Sequence, residues 1–333
     1  MTSEDSSVKF LPTGAIIQEL NIAGHNIVLG YPSVDPYVDA PFFGETIGRV
    51  ANRTKDAQID LLNGKSYRLA ANNGPNHLHG GLEGWGKKKF SGPKPENRNG
   101  KEAVLFSYVS PDGEEGYPGT VELKVWYTAS IEAEDGVSKF VLETEYEVQL
   151  VDDDADETVI NVTNHSYFNI ANGPTIDGTE VRLSTSKYLA VVDENLIPTG
   201  TIEDFPGVEA DTPIKLGETG PVFDHAFVVD TDTSNIPLDT RKGPLRKLAG
   251  FSHAGTALHI DFFSTEPAFQ FYTGEHINAK AAAETPARGP RAGFCIEPSR
   301  FINAVNVPEW RNQVVLKKGA TWGARTVYKA WKA

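Results

Sequence analysis

The chain has 333 residues, of which 45 are Asp or Glu and 31 are Lys or Arg, so its formal net charge is −14. This length permits one large domain or two ordinary ones. The negative charge disfavours nucleic acid and anionic lipid as partners, so we expect the ligand to be a neutral small molecule.

The first residues of the chain and its cysteine content indicate where in the cell the protein is expected. Residues 1–7 are polar and acidic and lack the apolar centre of a signal peptide, and no run of 18 apolar residues occurs. Cys295 is the only cysteine, so no intramolecular disulfide can form. We therefore expect a cytoplasmic protein that binds no membrane.

An alternation of apolar and polar residues dominates the chain and predicts β-strands. Residues 59–69 are predicted to form a hairpin, because Asn63-Gly64 can adopt the positive φ angles of a tight type I′ turn between apolar flanks. Residues 121–127 and 140–150 alternate in the same way. This pattern is typical of strands with one buried and one solvated face.

Three later segments, 158–167, 268–272 and 293–297, predict strands whose polar face opens to a cleft. The opposite faces are apolar and are expected to pack on the core. In chain order, the polar faces carry Asn161, Thr163, His165, Tyr167, Gln270, Tyr272, Cys295 and Glu297.

The strand patterns continue from one end of the chain to the other without a linker, an internal repeat or a sustained helical stripe. The acidic run 152–157 is predicted to be a solvated turn, and 279–284 a loop, since Pro286 and Gly289 follow it. The expected fold class is therefore all-β, a large antiparallel β-sandwich, with residues 1–333 in a single domain.

Several polar residues of these segments also have a purely structural interpretation. His77 and His225 are expected to be structural, and Arg49 to be a strut for a carboxylate. A lone His165 in a strand is more often a satisfied core residue than a catalyst. Glu297 lies in an apolar strand, where an unpaired charge is costly, so a salt bridge to an arginine is its structural alternative.

Metal and nucleotide sites are poorly supported. His77 and His79 are two positions apart and no pair of cysteines exists, so zinc would need ligands from distant segments. No P-loop or glycine-rich dinucleotide fingerprint occurs. Cys295 is expected to fill space in its strand and not to act as a nucleophile. We therefore expect no metal and no cofactor.

Seven segments, taken in order, resemble the aldose 1-epimerases, also called galactose mutarotases, and cover almost the whole chain. The motif Leu78-His79-Gly80-Gly81 alone would be a weak signal, whereas the ordered set is specific. The segments are 42–53, 72–81, 162–170, 188–200, 223–227, 270–274 and 293–298.

This resemblance implies a large antiparallel β-sandwich and the interconversion of the α and β anomers of free aldohexoses, galactose or glucose, without a cofactor. Glu297 matches the general base of the family and His165 its general acid. Tyr167, next to the acid, is expected to line the site. The positions that contact the sugar in the family are occupied here by Asn52, Arg53, His79, Asp224 and Gln270.

The proposed chemistry requires opening of the hemiacetal ring. A base removes the O1 proton while an acid protonates the ring oxygen, and the open aldehyde turns and recloses, so a carboxylate and an imidazole suffice. Glu297 should then have a raised pKa or a strongly polarised neighbour. Its reactive atom should lie roughly 4–7 Å from that of His165 across one sugar-sized cleft.

Two alternatives stay open. A hexose-6-phosphate mutarotase would need an arginine cluster, and His79 is followed here by Gly80-Gly81 without the aromatic residue and arginine associated with phosphate-specific relatives. A non-catalytic sugar-binding module would be expected to lose the acid or the base. Departures from the family pattern at Ala226, at Ser299-Arg300 and in the loop 280–291 leave the preferred aldose open. We expect a monomer or a weak dimer.

Overall fold

The structure is a computed structural model that describes residues 5–40, 42–191, 195–282 and 284–333. Strands dominate these ranges, and helical structure within them is limited to short 3₁₀ segments. The 3₁₀ segments are Asp35–Val38, Lys55–Ala57, Trp85–Lys87, Glu114–Gly116, Ala304–Asn306 and Pro308–Gln313. No helix among the described residues is long and apolar enough to cross a membrane.

The strands are numbered in chain order. The first twelve are β1 Ser7–Leu11, β2 Ile16–Ile22, β3 His25–Asn26, β4 Glu45–Ile47, β5 Arg53–Thr54, β6 Gln58–Leu62, β7 Lys65–Arg68, β8 His77–Leu78, β9 Ser91–Arg98, β10 Lys101–Ser110, β11 Val121–Glu134 and β12 Val137–Leu150. The others are β13 Glu157–Val159, β14 Thr163–His165, β15 Thr179–Leu183, β16 Lys187–Val191, β17 Pro198–Asp204, β18 Ile214–Lys215, β19 Asp224–Val228, β20 Arg246–His253, β21 Leu258–Ser264, β22 Ala268–Tyr272, β23 Cys295–Ser299, β24 Val315–Lys317 and β25 Trp322–Lys332.

The largest sheet has nine strands in the order β18-β15-β20-β21-β25-β12-β11-β10-β9, and its strand pairs are antiparallel. The pairing of β11 with β12 is the longest, from Val121 opposite Leu150 to Glu134 opposite Val137. Both segments predicted from alternation, 121–127 and 140–150, lie in this pair. The prediction of two half-buried strands is therefore confirmed.

A five-stranded sheet, in the order β17-β16-β19-β22-β23, faces the large sheet. Phe269 and Phe271 of β22 pack in the same buried cluster as Phe262 and Tyr328 of the large sheet. Each such buried side chain contributes about 1.5–3 kcal/mol relative to exposure. The two sheets thus enclose the main core, and the expected antiparallel β-sandwich is confirmed.

The hairpin at 59–69 also forms as predicted. Strands β6 and β7 pair across Asn63 and Gly64, whose φ angles are +51° and +73°. These angles suit a type I′ turn, which asparagine and glycine tolerate best. The acidic run 152–157 forms the expected bends up to the start of β13. Residues 279–282 form a loop, as predicted, whereas Ala283 lies outside the described residues.

The prediction of one continuous strand over 158–167 is wrong. The segment divides into β13, which pairs with β24, and β14, which pairs with β4. Between them, Asn161 accepts a hydrogen bond from the Arg300 backbone N–H at 3.0 Å, so its side chain braces the chain after β23 and does not face a cleft. Two different partner strands impose two directions on one segment. Alternation within the segment cannot reveal that division.

Candidate active site

One polar cleft of about 270 Å³ collects all eight residues that the sequence nominated. Polar groups converging in a concave site are the expected setting for a small polar ligand. A larger groove of about 660 Å³ beside β9–β11 carries Glu96 and Glu102 but no acid–base pair. The cleft is lined by Phe42, Asn52, Arg53, Asn73, Leu78, His79, His165, Tyr167, Asp224, Gln270, Tyr272, His276 and Glu297.

The register of the five-stranded sheet places three of the nominated side chains. Gln270 of β22 lies opposite Glu297 of β23, and Asp224 of β19 lies opposite Tyr272 of β22. Side chains alternate between the faces of a strand, so these groups share the face opposite Phe269 and the main core. The predicted division of 268–272 into a polar and an apolar face is confirmed.

His165 and Glu297 meet directly in this cleft. His165 Nε2 lies 3.5 Å from Glu297 Oε1, and both side chains are almost fully buried. The expected separation of roughly 4–7 Å is therefore too long. Strand β14 packs against β23, so the two side chains converge on one point instead of facing each other across the width of a pyranose.

Burial shifts the pKa values of the two groups in opposite directions. It raises the pKa of Glu297 to about 8, with the charge of Asp224 adding to this effect and that of Arg53 opposing it. It lowers the pKa of His165 to about 4. Both shifts have the same cause, because a buried site disfavours the charged form of either group. Between these values the pair holds one proton, and the short contact links the neutral pair to the carboxylate–imidazolium pair.

Arg53 is held in the cleft by two asparagines. Its Nε donates to Asn73 Oδ1 at 3.1 Å, and its Nη1 donates to Asn52 Oδ1 at 3.3 Å. Burial lowers the pKa of Arg53, while Asp224 and Glu297 oppose that change. The guanidinium thus presents positive charge to both carboxylates, from a position that neutral amides fix.

His79 is fixed by the backbone of Asn52. The Asn52 N–H donates to His79 Nδ1 at 3.2 Å, and burial lowers the pKa of His79 well below 6.5. A neutral ring whose Nδ1 accepts carries its proton on Nε2, so His79 is a donor. The next residue, Gly80, packs closely against the Gly48 backbone. A Cβ at this position would lie 1.8 Å from the Gly48 carbonyl oxygen, and the φ of Gly80 is +83°, so a larger residue would not fit.

Asp224 and Gln270 form a second polar pair. Gln270 Nε2 donates to Asp224 Oδ1 at 2.6 Å, which fixes the orientation of the amide. Gln270 Oε1 is buried without a hydrogen-bond partner. A buried acceptor without a partner is costly, so this oxygen is suited to a ligand hydroxyl. Ala226, one of the departures from the family pattern, lies beside Gln270 in the sheet.

A metal is poorly matched to the same residues. His79, His165 and Glu297 place three potential ligand atoms within 4.8 Å of one another in the described part of the chain. A histidine must offer an unprotonated nitrogen to a metal. His79 Nδ1 already accepts from the Asn52 N–H, which leaves the proton on the other nitrogen. The trio is better suited to hydrogen bonding.

Sequence reasoning missed several lining residues. Phe42 has a φ of +59°, an uncommon value for a bulky residue, and its ring centroid lies 4.8 Å from that of His79 and 5.4 Å from that of His165. It begins the matched segment 42–53, but nothing in its residue type marks a wall of the cleft. The alternation that assigned Gln270 also placed Tyr272 on the cleft face. The other lining residues without an assigned role are Asn73, Leu78 and His276.

His77, His225 and Arg49, which were expected to be structural, lie outside the lining of the cleft. His77 contacts the Ala70 carbonyl and the Tyr117 hydroxyl, and His225 packs on Phe205. Arg49 was expected to support a carboxylate. Instead its guanidinium donates to backbone carbonyls and to Ser110. Of the matched segment 188–200, residues 192–194 lie outside the described residues.

The family model for aldose 1-epimerase matches residues 1–329. The galactose mutarotase of Sus scrofa is 36% identical over 342 residues, which cover 98% of this chain and 91% of that protein. The bifunctional protein GAL10 of Pachysolen tannophilus is 38% identical over 322 residues, covering 95% of this chain but 44% of that protein.

The chain thus spans less than half the length of the bifunctional relative. Among solved structures, the GalM/aldose epimerase homologue from C. elegans has a TM-score of 0.81 at 22% identity and covers 99% of this chain and 97% of that one. That likeness supports the fold alone. The match of the family model over nearly the whole sequence shows that the chain belongs to the aldose 1-epimerase family.

Proposed function

We propose that the chain interconverts the α and β anomers of a free aldohexose, galactose or glucose, by acid–base opening and reclosure of the ring. The observation that carries this proposal is the contact of 3.5 Å between His165 Nε2 and Glu297 Oε1 in a polar cleft. The two oxygens of an anomeric centre share one carbon, so a closely spaced acid and base can reach both.

In the proposed reaction the pair acts in its charge-separated form. The Glu297 carboxylate takes the proton of O1 while His165 Nε2 gives its proton to the ring oxygen, and the bond between C1 and the ring oxygen breaks. The open aldehyde turns about its C1–C2 bond, and the reverse transfers close the ring. Each well-placed proton transfer contributes about 10²–10⁴ in rate.

The surrounding groups have separate proposed roles. Arg53 stabilises the carboxylate form of Glu297, since its charge opposes the effect of burial. His79 donates through Nε2 to a sugar oxygen. Asp224 and the unpartnered Gln270 Oε1 accept hydrogen bonds from sugar hydroxyls. Asn52 positions Arg53, and Tyr167 flanks the acid.

The two alternatives are less well supported. Arg53 is the one arginine or lysine among the described lining residues, and it is already hydrogen-bonded to two asparagines. The cleft is therefore poorly suited to bind a phosphate dianion. A binding module has no need for a buried carboxyl and imidazole in direct contact, with pKa values that burial shifts in opposite directions.

We further propose that residues 1–333 act as a single domain, that the protein is cytoplasmic and a monomer or weak dimer, and that it needs neither cofactor nor nucleic acid. The continuous large sheet, whose outer strands come from residues 91–98 and 214–215, supports the single domain. The net charge of −14 supports the absence of nucleic acid.

The deciding experiment is polarimetry on freshly dissolved α-D-galactose and α-D-glucose with the parent protein. Glu297→Gln and His165→Asn should each reduce kcat by about 10²-fold or more. The double variant should lose less than the product of the two effects, because both transfers serve one ring opening. An inactive parent protein, or a folded and fully active Glu297→Gln variant, would contradict the proposal.

A further inference from the structure

The thiol of Cys295 is a buried group that the proposed reaction does not use. Its side chain is completely buried, and Sγ lies 3.5 Å from Nδ1 of His165. The other ring nitrogen, Nε2, is the one that contacts Glu297. Cys295 and Glu297 lie two residues apart on the same face of β23, so one strand contacts both nitrogens of the imidazole.

Tyr167 packs in the same buried cluster as the thiol. The Tyr167 side chain opposes the rise that burial causes in the pKa of the Cys295 thiol. The rings of Tyr167 and His165 lie 4.9 Å apart. The thiol and Glu297 therefore contact the two nitrogens of an imidazole that the Tyr167 ring also flanks.

We propose that Cys295 is the positioning residue of the proposed acid: its thiol holds Nδ1 of His165 in both the neutral and the protonated ring, so that Nε2 stays directed at Glu297 and the anomeric oxygens. This inference rests on the proposed function. A thiol suits both states, because Nδ1 keeps its proton when Nε2 loses its own, and sulfur accepts weakly from Nδ1–H in either state.

The weakness of that partner matters to the chemistry. Histidines at functional sites usually pair their second nitrogen with a carboxylate or a carbonyl oxygen, which stabilises the imidazolium. Sulfur is a poorer acceptor, so the protonated ring is held in place without being strongly stabilised, and it releases its proton readily.

A nucleophilic or redox role for Cys295 is less consistent with its surroundings. Burial raises the pKa of the thiol well above its usual value, and the charges of Glu297 and Asp224 raise it further. A buried, fully protonated thiol is inert. The same surroundings keep it a neutral hydrogen-bonding partner at the pH at which the site works.

Other groups around His165 bear on its titration. Glu297 and Cys295 reach it from β23, Tyr167 from its own segment, and His79 from the loop after β8. Glu45 of β4 lies opposite His165 of β14 in the strand register, and its carboxylate accepts a hydrogen bond from Lys87 Nζ. The substitutions below replace Cys295, the partner of Nδ1, and leave the other groups unchanged.

The test compares Cys295→Ser and Cys295→Ala with the parent protein. Nitrogen-15 NMR of labelled histidine follows the titration of His165, whose signal is assigned by its absence in His165→Asn. A hydroxyl accepts more strongly than a thiol, so Cys295→Ser should raise the pKa of His165, whereas Cys295→Ala removes the partner and should lower it further. The acidic limb of the profile of kcat/KM against pH should move in the same directions.

Steady-state kinetics supply the second readout. Cys295→Ala should reduce kcat about tenfold, the lower end of the usual effect of losing such a supporting partner, with KM nearly unchanged because the thiol does not touch the sugar. Cys295→Ser should recover most of that loss. Ile296→Val is the matched control, since it truncates a fully buried side chain on the core face of β23 and should change neither kcat nor the titration.

Two results would overturn the inference. One is an unchanged His165 titration in both Cys295 variants. The other is a loss of activity in Cys295→Ala that Cys295→Ser does not restore and that leaves the pH profile in place, since this indicates packing alone. The NMR titration does not depend on turnover, so an inactive parent protein would refute the proposed function separately.

Discussion

Replacing Glu297 by glutamine should remove the proposed base and also stabilise the fold at alkaline pH. Glu297 is 3% exposed, and burial raises its pKa from 4.5 to about 8. The folded state therefore holds this proton more tightly than the unfolded state does. The associated stability is fully present below about pH 4.5 and is lost as the pH rises through about 8.

The size of the effect follows from the difference between the two pKa values. At 1.36 kcal/mol per pKa unit, an ionised Glu297 destabilises the fold by at most about 5 kcal/mol at pH 9. Unfolding entropy is about 2.1 cal/mol/K per residue, so this ceiling corresponds to roughly 7 °C in Tm. A neutral glutamine has no such dependence on pH.

Calorimetry at pH 5, 7 and 9 measures this directly. The Tm of Glu297→Gln minus that of the parent should be small at pH 5 and become increasingly positive by pH 9. Glu266→Gln is the contrasting control, because Glu266 is also buried but forms an ion pair with Arg300. Glu266→Gln leaves the buried charge of Arg300 without its partner and should lower the free energy of unfolding by about 3–5 kcal/mol.

A lower Tm for Glu297→Gln at pH 9 would refute the reasoning. It would mean that Arg53 and the surrounding dipoles stabilise the ionised carboxylate more than burial destabilises it. The same variant, assayed by polarimetry, tests the base independently, so a stabilised but fully active variant would separate the electrostatic argument from the catalytic one.

Three further predictions concern activity. The profile of kcat/KM against pH should be bell-shaped. It should fall below about pH 4, because His165 protonates beside a neutral Glu297, and above about pH 8, because the pair loses its last proton. A rate that keeps rising above pH 9, after correction for the uncatalysed reaction, would contradict this. Exhaustive chelation should leave kcat unchanged, and activity lost in EDTA and restored by a divalent metal would contradict a mechanism based on side chains alone. Free glucose should have a higher kcat/KM than glucose 6-phosphate, since Arg53 is already bonded to Asn52 and Asn73; the reverse order would favour the phosphate-specific relatives.

Local features of this fold could be predicted because they depend on the covalent geometry of a strand or a turn. Alternation separated Gln270 from Phe269 and Phe271, since successive side chains of a strand point to opposite faces whatever lies beside them. Asn63-Gly64 specified its hairpin, since few other residues tolerate those φ angles. Family resemblance then selected the eight residues that the structure brings to one cleft.

Distances between side chains depended on tertiary structure. His165 and Glu297 approach to 3.5 Å, and Cys295 meets the far nitrogen of the same ring. Phe42 closes one wall of the cleft, although it lies far from His165 and from β23 in the chain. The contact of β14 with β23, and the break within 158–167, follow from the pairing partners of each strand. Periodicity fixes the face of a strand on which a side chain lies. Register and packing of the whole sandwich fix what lies opposite it and how far it is buried, and burial is what shifts the pKa values of the acid and the base.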